Sequence, residues 1–256
     1  MMNAVAAPVR SFSPGEWLRL GCRLTAMLAL LLACVPLYHI WRLMPVTNPW
    51  PRRFLAGVAW VAGVRIATSG AKTRGGEFLL SNHVSWIDIP ALAAAAGSAF
   101  VAHDGLAAIP LLRWLCEMND TVFIARHDRA SIHRQVEQVR TAIRDTGSLT
   151  IFPEGTTSDG TGLLPFKSSL LSAIEPLPEG IAVQPVALDY GSAVPDIAWV
   201  GDEPGLDNFK RILARREPIV LRVRFLPPLT GDAIRNRKTI AAAAHAAILQ
   251  ALNNRS

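Results

Sequence analysis

The chain has 256 residues, half of them apolar and 18% charged, with 26 Lys and Arg against 20 Asp and Glu for a net charge of +6. That length suits one medium domain with a short appendage, and the apolar content excludes a disordered chain. The 18 Gly and 18 Pro follow no period, which excludes collagen-like sequence, and the three cysteines (Cys22, Cys34, Cys116) are scattered without a CxxC, which argues against a disulfide scaffold or zinc knuckle and suits a reducing, cytosolic setting.

The charge is concentrated at the start. Residues 1–60 hold six arginines and one acid, Glu16, whereas the other 196 hold 20 basic and 19 acidic side chains. Residues 24–38 carry no charge over 15 positions, slightly short of the roughly 17–25 apolar residues that a spanning helix needs. A second run, 54–66 (FLAGVAWVAGVRI), follows a breaker containing Pro45, Pro49 and Pro51. Four of the seven tryptophans (Trp17, Trp41, Trp50, Trp60) flank these runs, as expected at lipid headgroups. The pattern predicts an apolar helical hairpin that dips into one leaflet with its arginines at the headgroups; a single-span anchor is the alternative. A cleaved signal would begin nearer residue 1 and end in a small-residue site. Nucleic acid would need basic residues spread over a folded face among stacking aromatics, so none is expected as a partner. Residues 1–67 are thus expected to form a membrane-associated segment and 68–256 a separate α/β domain.

Beyond residue 70, the chain alternates. Residues 77–80 (EFLL) read as a buried strand, 87–96 as an Ala-rich helix, 99–102 as a strand, 110–118 as a helix and 121–125 as a strand. Residues 130–145 space Ile132, Val136, Val139 and Ile143 by 4, 3 and 4, an amphipathic helix closed by Gly147. Residues 148–152, 181–188 and 219–225 read as strands, the last with one basic face; 168–173 opens a helix, and 239–252 is an Ala-rich terminal helix. Alternating strands and helices predict an α/β fold with a mostly parallel sheet flanked by helices.

No GxSxG elbow, P-loop, GxGxxG or HExxH occurs. Three strand ends carry chemistry instead. Asn82 and His83 follow the first strand, and Asp88 opens the next helix. If the residues between form a loop, Asp88 can turn back onto the imidazole, giving a base with its orienting carboxylate; in one regular helix, an i, i+5 pair would point about 140° apart. Residues 151–162 run from a strand into a Gly- and hydroxyl-rich loop containing Phe152, Glu154, Gly155, Thr156 and Thr157. Its backbone N–H groups suit a phosphate or oxyanion, and Glu154 suits a hydroxyl. The 121–125 strand, containing Phe123, ends in Arg126, a bidentate anion ligand by type. The bland readings are a half-buried histidine, a capped turn and a surface arginine.

Taken in this order, the three blocks resemble the glycerolipid acyltransferases typified by 1-acylglycerol-3-phosphate acyltransferase. Asn82-His83-x4-Asp88 matches the HX4D block, residues 122–126 resemble the second block, Phe152-Pro153-Glu154-Gly155-Thr156 matches the third, and Val183-Gln184-Pro185-Val186 resembles the fourth; 164–167 (LPFK) is also typical. The resemblance implies O-acyl transfer from acyl-CoA or acyl carrier protein to a lyso-lipid hydroxyl, with His83 and Asp88 catalytic, and Asn82, Phe123, Arg126, Phe152, Glu154, Gly155, Thr156 and Thr157 at the substrate. It implies no metal or cofactor, and a place on the cytoplasmic face of the inner (plasma) membrane. Two positions depart from the pattern: Ala125 replaces an acid, and Thr157 replaces an arginine assigned to the acceptor phosphate. The expected acceptor is 1-acylglycerol-3-phosphate. Lyso-ornithine lipid, which some relatives with a GTTS-type block acylate, is the alternative, ahead of a membrane serine esterase or thioesterase and a non-catalytic lipid-binding protein.

Overall fold

In the computed structural model, which describes residues 11–73, 76–103, 110–124, 137, 141–143 and 146–254, the strands form one sheet. Its strands are β1 (Val64–Ser69), β2 (Glu77–Ser81), β3 (Ala99–His103), β4 (Val122–Ile124), β5 (Ser148–Ile151), β6 (Ala182–Asp189) and β7 (Ile219–Phe225), in the spatial order β1-β7-β6-β2-β5-β3-β4. Every neighbouring pair is parallel except β6–β7. The expected mostly parallel α/β sheet is therefore present. Leu80 lies opposite both Ile151 and Pro185, so β2, β5 and β6 deliver residues 82, 152 and 190 to one edge of the sheet. Functional groups of open parallel sheets gather outside that edge. Pro185 sits one residue before the β6–β7 ladder begins at Val186, so its missing N–H removes nothing from that ladder.

The central strands β2, β5 and β6 are buried on both faces, as a sheet covered on both sides requires, whereas β7 buries one face and exposes the other. Phe78, Leu80, Leu149, Ile151 and Val183 face α7 (Arg237–Asn253), whose Ile240, Ala241 and Ala244 are buried against them. Leu79, Val186, Leu188 and Leu221 face the other way, onto α3 (Asp88–Ala96) and α6 (Gly205–Ala214). Helix α4 (Pro110–Met118) follows β3, and the one-turn helix α5 (Val194–Ile197) follows β6.

The N-terminal pair is unequal. Helix α1 (Pro14–Trp41) has 28 residues and is long and apolar enough to cross a membrane; α2 (Trp50–Val61) has only 12. Ser13 and Glu16 form a capping box at the start of α1. The two helices pack closely at Gly57, where a β-carbon would stand 2.9 Å from Leu30 Cδ1. The pair is not a detached segment. Leu20 of α1 and Ala59 of α2 belong to the same buried cluster as Leu92 of α3 and Leu213 of α6.

Several arginines expected at lipid headgroups are bound to protein instead. Arg19 Nε donates to Ala214 O at 2.9 Å, Arg23 Nη1 to Leu213 O at 2.9 Å, and Arg52 Nη2 to Ala94 O at 3.0 Å. These acceptors are the terminal carbonyls of α6 and α3, which have no partner within their own helices and carry the negative end of the helix dipole.

The expected boundary after residue 67 lies within a strand. Helix α2 stops at Val61, Gly63 turns the chain at φ +91°, and residues 64–69 pair with β7 from Val64–Ile219 to Ser69–Arg224. The boundary falls inside β1, so the sheet begins within what reads as the second apolar run. The residues 168–174 form a 3-10 turn rather than an α-helix. The expected 130–145 helix lies mostly outside the described residues; 137 and 141–143 are helical.

Replacing Arg23 with alanine removes a charged donor from two carbonyls, Ile212 O and Leu213 O. The expected loss is about 1.5–3 kcal/mol, against less than about 0.5 kcal/mol for Arg42→Ala on the exposed helix end. Denaturant unfolding in detergent, followed by intrinsic fluorescence, measures both.

Candidate active site

His83 leaves β2, and Asp88 opens α3, where a carboxylate faces the positive end of the helix dipole. The residues between form a tight loop rather than a helix, so the carboxylate folds back as expected. Asp88 Oδ2 lies 2.7 Å from His83 Nδ1 and accepts the backbone N–H groups of Val84 at 2.6 Å and Ser85 at 2.9 Å. Asp88 is fully buried, whereas the His83 side chain keeps 18% of its surface open. With Nδ1 committed to the carboxylate, the imidazole presents Nε2 as its free nitrogen, the atom that can take a proton. Phe152, at the end of β5, stacks on the ring at 4.2 Å, with Phe100 behind it at 6.2 Å.

Within the third block, the Glu154 side chain is turned inward. Glu154 is 1% exposed, and both carboxylate oxygens accept backbone N–H groups, from His83 at 2.7 Å and from Leu164 at 3.0 Å. It braces the His83 peptide rather than offering an acceptor to a substrate hydroxyl. On the other side of His83, its carbonyl accepts both the N–H and the hydroxyl of Ser158, at 2.7 and 3.1 Å. Asn82 is likewise turned inward: its side chain accepts from Leu188 N–H at 2.8 Å and donates to Leu188 O at 3.0 Å, clamping the end of β2 to β6. The Thr157 hydroxyl donates to the Trp199 carbonyl, and the Trp199 N–H donates to Val84 O at 3.0 Å, so these two bonds tie the third block to the His83 loop.

Gly155 and Thr156 are exposed at the same edge, next to the His83 loop. Gly155 has φ +70°, and its amide donates to Phe152 O at 3.1 Å, which removes it from the set of amides free to meet a substrate oxygen. Phe123 lies on the edge strand β4, two strands away from β5, and has no ring contact with His83 or Phe152 among the described residues. Arg126 lies outside the described residues.

Sequence reasoning passed over Ser158, Trp199 and Tyr190. The Tyr190 hydroxyl donates to Asp88 Oδ1. Its sequence signal was its place just past the strand that carries the fourth block; it is one of two tyrosines in the chain.

A family model described as Acyltransferase matches residues 65–189, from β1 to the end of β6. A lyso-ornithine lipid O-acyltransferase from Brucella abortus is 33% identical over 243 residues, covering 88% of this chain and 90% of that protein. The chain belongs to the acyltransferase family. Another lyso-ornithine lipid O-acyltransferase, from Rhodobacter capsulatus, is 31% identical over 93% of this acyltransferase and 91% of its own length. A 1-acyl-sn-glycerol-3-phosphate acyltransferase from Neisseria gonorrhoeae is 36% identical, over 50% of this chain and 49% of that one. The fold is shared with the crystal structure of the 1-acyl-sn-glycerophosphate acyltransferase PlsC from Thermotoga maritima, at a TM-score of 0.60 and 19% identity over 90% of this chain and 96% of that one.

Burial pushes the Glu154 carboxyl up to about 7, against its two backbone hydrogen bonds, which pull it down. A glutamate in an unfolded chain titrates near 4.3. Between those values, the folded state holds a proton that the unfolded state has released. Stability from this group is therefore fully present below about pH 4 and declines as pH rises towards 7. Glu154→Gln removes the titration. It also sets an NH2 against one of the two backbone donors, at a cost of about 1–3 kcal/mol. The stability advantage of the wild type over Glu154→Gln is expected to shrink from pH 5 to pH 7 in denaturant titrations, and the variant should lose at least about tenfold in activity at every pH.

Proposed function

We propose that this acyltransferase moves a fatty acyl group from a thioester, acyl-CoA or acyl carrier protein, to the hydroxyl of a lyso-lipid, with His83 as general base. The observation that carries this reading is the His83 geometry: Nδ1 is fixed on a buried carboxylate, and the peptide is pinned by Glu154 and Ser158. In the forward step, the acceptor hydroxyl attacks the thioester carbonyl as Nε2 takes its proton. The tetrahedral oxyanion then collapses, the C–S bond breaks, and the imidazolium returns the proton to the departing thiolate. Asp88 fixes the tautomer and stabilises the imidazolium without taking the proton itself. General-base catalysis contributes roughly 10²–10⁴-fold. With the Gly155 amide engaged, the next amide of the exposed loop, at Thr156, is the one we assign to the oxyanion. A thioester is already an activated acyl group, so the step as read needs no metal or cofactor.

For the acceptor, we favour a lyso-ornithine lipid. Relatives matching along nearly the whole chain carry that activity in their names, and position 157 holds a threonine whose hydroxyl is bound to the Trp199 carbonyl rather than a cation open to a phosphate. 1-Acylglycerol-3-phosphate is the second reading, favoured by the Neisseria relative over half the chain. Both are lyso-lipids, and both fit the same base.

Such acceptors reside in bilayers, which gives α1 its purpose. Its first third is fastened to α6 by Arg19 and Arg23, and residues 25–41 extend beyond those bonds with α2 packed along them. Seventeen helical residues extend about 25 Å, less than the roughly 30 Å of a hydrocarbon core. This length supports insertion from one side, which we take to be the cytoplasmic face, where the acyl donors are made.

His83→Ala is expected to abolish transfer in a folded protein, and Asp88→Asn to lower the rate by at least about 10²-fold. Turnover by folded His83→Ala at the wild-type rate would refute the base assignment. In a labelled-donor assay, lyso-ornithine lipid should exceed 1-acylglycerol-3-phosphate by at least about tenfold in kcat/KM; the reverse order would establish the second reading.

Leu24, Leu28 and Leu32 repeat every four residues on α1 and are 43%, 55% and 66% exposed. Burying the exposed part of each on insertion contributes roughly 1 kcal/mol. Changing all three to serine should lower liposome co-flotation at least about 10²-fold, whereas raising salt should leave the wild type bound, because salt screens charge and not apolar burial.

A further inference from the structure

The His83–Asp88 pair has a third member that lies just past the stretch matched by the family model, which ends at residue 189. Tyr190 follows the carboxyl end of β6 and is 3% exposed, packed in the apolar cluster that contains Val84, Ile87 and Leu188. Its hydroxyl donates to Asp88 Oδ1, while Oδ2 takes the three bonds from the His83 loop. The turn that carries Tyr190 is itself fixed. The preceding Asp189, 2% exposed, accepts the Gly191 N–H at 3.0 Å and pairs with Arg224 at 3.3 Å, and the Tyr190 carbonyl accepts the Ala193 N–H at 3.1 Å.

An aspartate carboxylate turns about a broad, roughly two-fold torsion, so bonds to one oxygen alone do not hold its plane. Two donors on Oδ2 are backbone amides of the loop that bears His83, and these move with the histidine. Tyr190 is different: it reaches Asp88 from another strand and ties the carboxylate to the sheet. We propose that Tyr190 is a positioning residue for acyl transfer, its hydroxyl fixing Asp88 Oδ1 so that Oδ2 stays aimed at His83 Nδ1. Burial, reinforced by the Asp88 charge, pushes the phenol well above its ordinary value, so it remains a donor throughout the working pH range. The proposal rests on the general-base reading of His83. If that reading is wrong, folded His83→Ala retains activity; if only the present one is wrong, His83→Ala is inactive and Tyr190 variants behave as the wild type.

The test is Tyr190→Phe, which keeps the ring and removes the hydroxyl, assayed in full-length protein in mixed micelles. The expected result is a fall in kcat of about tenfold, with KM for donor and acceptor within about twofold. Combined with Asp88→Asn, Tyr190→Phe should reduce kcat no further than Asp88→Asn alone, because the phenol acts through that carboxylate. Wild-type kcat in Tyr190→Phe, a change carried by KM, or multiplicative losses in the double variant would each overturn the proposal. Should Tyr190→Phe not fold, a fluorinated tyrosine placed at 190 keeps ring and hydroxyl but alters the strength of donation. A displaced low-field resonance of the His83 Nδ1 proton is expected, and an unmoved resonance would overturn the proposal.

Discussion

The His83 peptide is held at both ends by one loop: its N–H enters a buried carboxylate, Glu154, and its carbonyl takes two bonds from Ser158. Most of the site's geometry follows from that clamp. It fixes where β2 hands the chain over, and so where the imbalance between a committed Nδ1 and an open Nε2 can arise. It also explains why β2 and β5 must be neighbours in parallel. The two blocks are about 70 residues apart in sequence, and the parallel register, Leu80 opposite Ile151, brings their exits side by side. Asn82 does the same on the other flank, where its amide bridges both polar groups of Leu188 on β6. Three adjacent strands thus hold a loop that, alone, would have no reason to keep one shape.

The same use of side chains on backbone groups joins the apolar helices to the enzyme. Helix ends leave carbonyls without partners, and Arg19, Arg23 and Arg52 supply them for α6 and α3. Helix α3 begins with Asp88. The apolar N-terminal pair is therefore joined to the helix that opens with Asp88 by Arg52 on Ala94 O and by the apolar packing of α2 on α3. Covalent continuity also joins the pair to the sheet, since α2 turns directly into edge strand β1.

The elements that the sequence made legible are those with a local signature. Residues 77–80, 99–102 and 219–225 are short, apolar and bounded by breakers, and all three are strands; His83 and Asp88 meet because the segment between them could be recognised as a loop. Strand β1 was hidden because Val64-Arg65-Ile66 continues an apolar run, and only the pairing with β7 selects extended backbone there. Helix α6 was passed over although Phe209, Ile212 and Leu213 have helical spacing, because its polar face outweighs three apolar residues. The roles of Asn82, Glu154 and Thr157 were not legible for a different reason. A polar residue beside a base can serve the substrate or the scaffold, and residue type does not distinguish the two. The distinction lies in partners that are remote in sequence: Leu188, Leu164 and Trp199.

Two buried carboxylates lie against one histidine, and their environments differ in kind. Asp88 accepts four hydrogen bonds, three on Oδ2 and one on Oδ1, which spread its charge over donors already in place. Glu154 accepts two, and burial pushes it up to about 7, with Asp88 itself a smaller contributor in the same direction. Glu154 therefore titrates closer to neutral pH than an ordinary glutamate, beside a carboxylate that is hydrogen-bonded on both oxygens. Only Asp88 touches the imidazole ring, whereas Glu154 bonds the His83 backbone. Protonation of Glu154 weakens a peptide clamp and leaves the contact between imidazole and carboxylate in place. The acid whose titration burial displaces thus sits on the backbone and the fully bonded acid on the ring, so the imidazole keeps its contact with Asp88 while the clamp on its loop titrates.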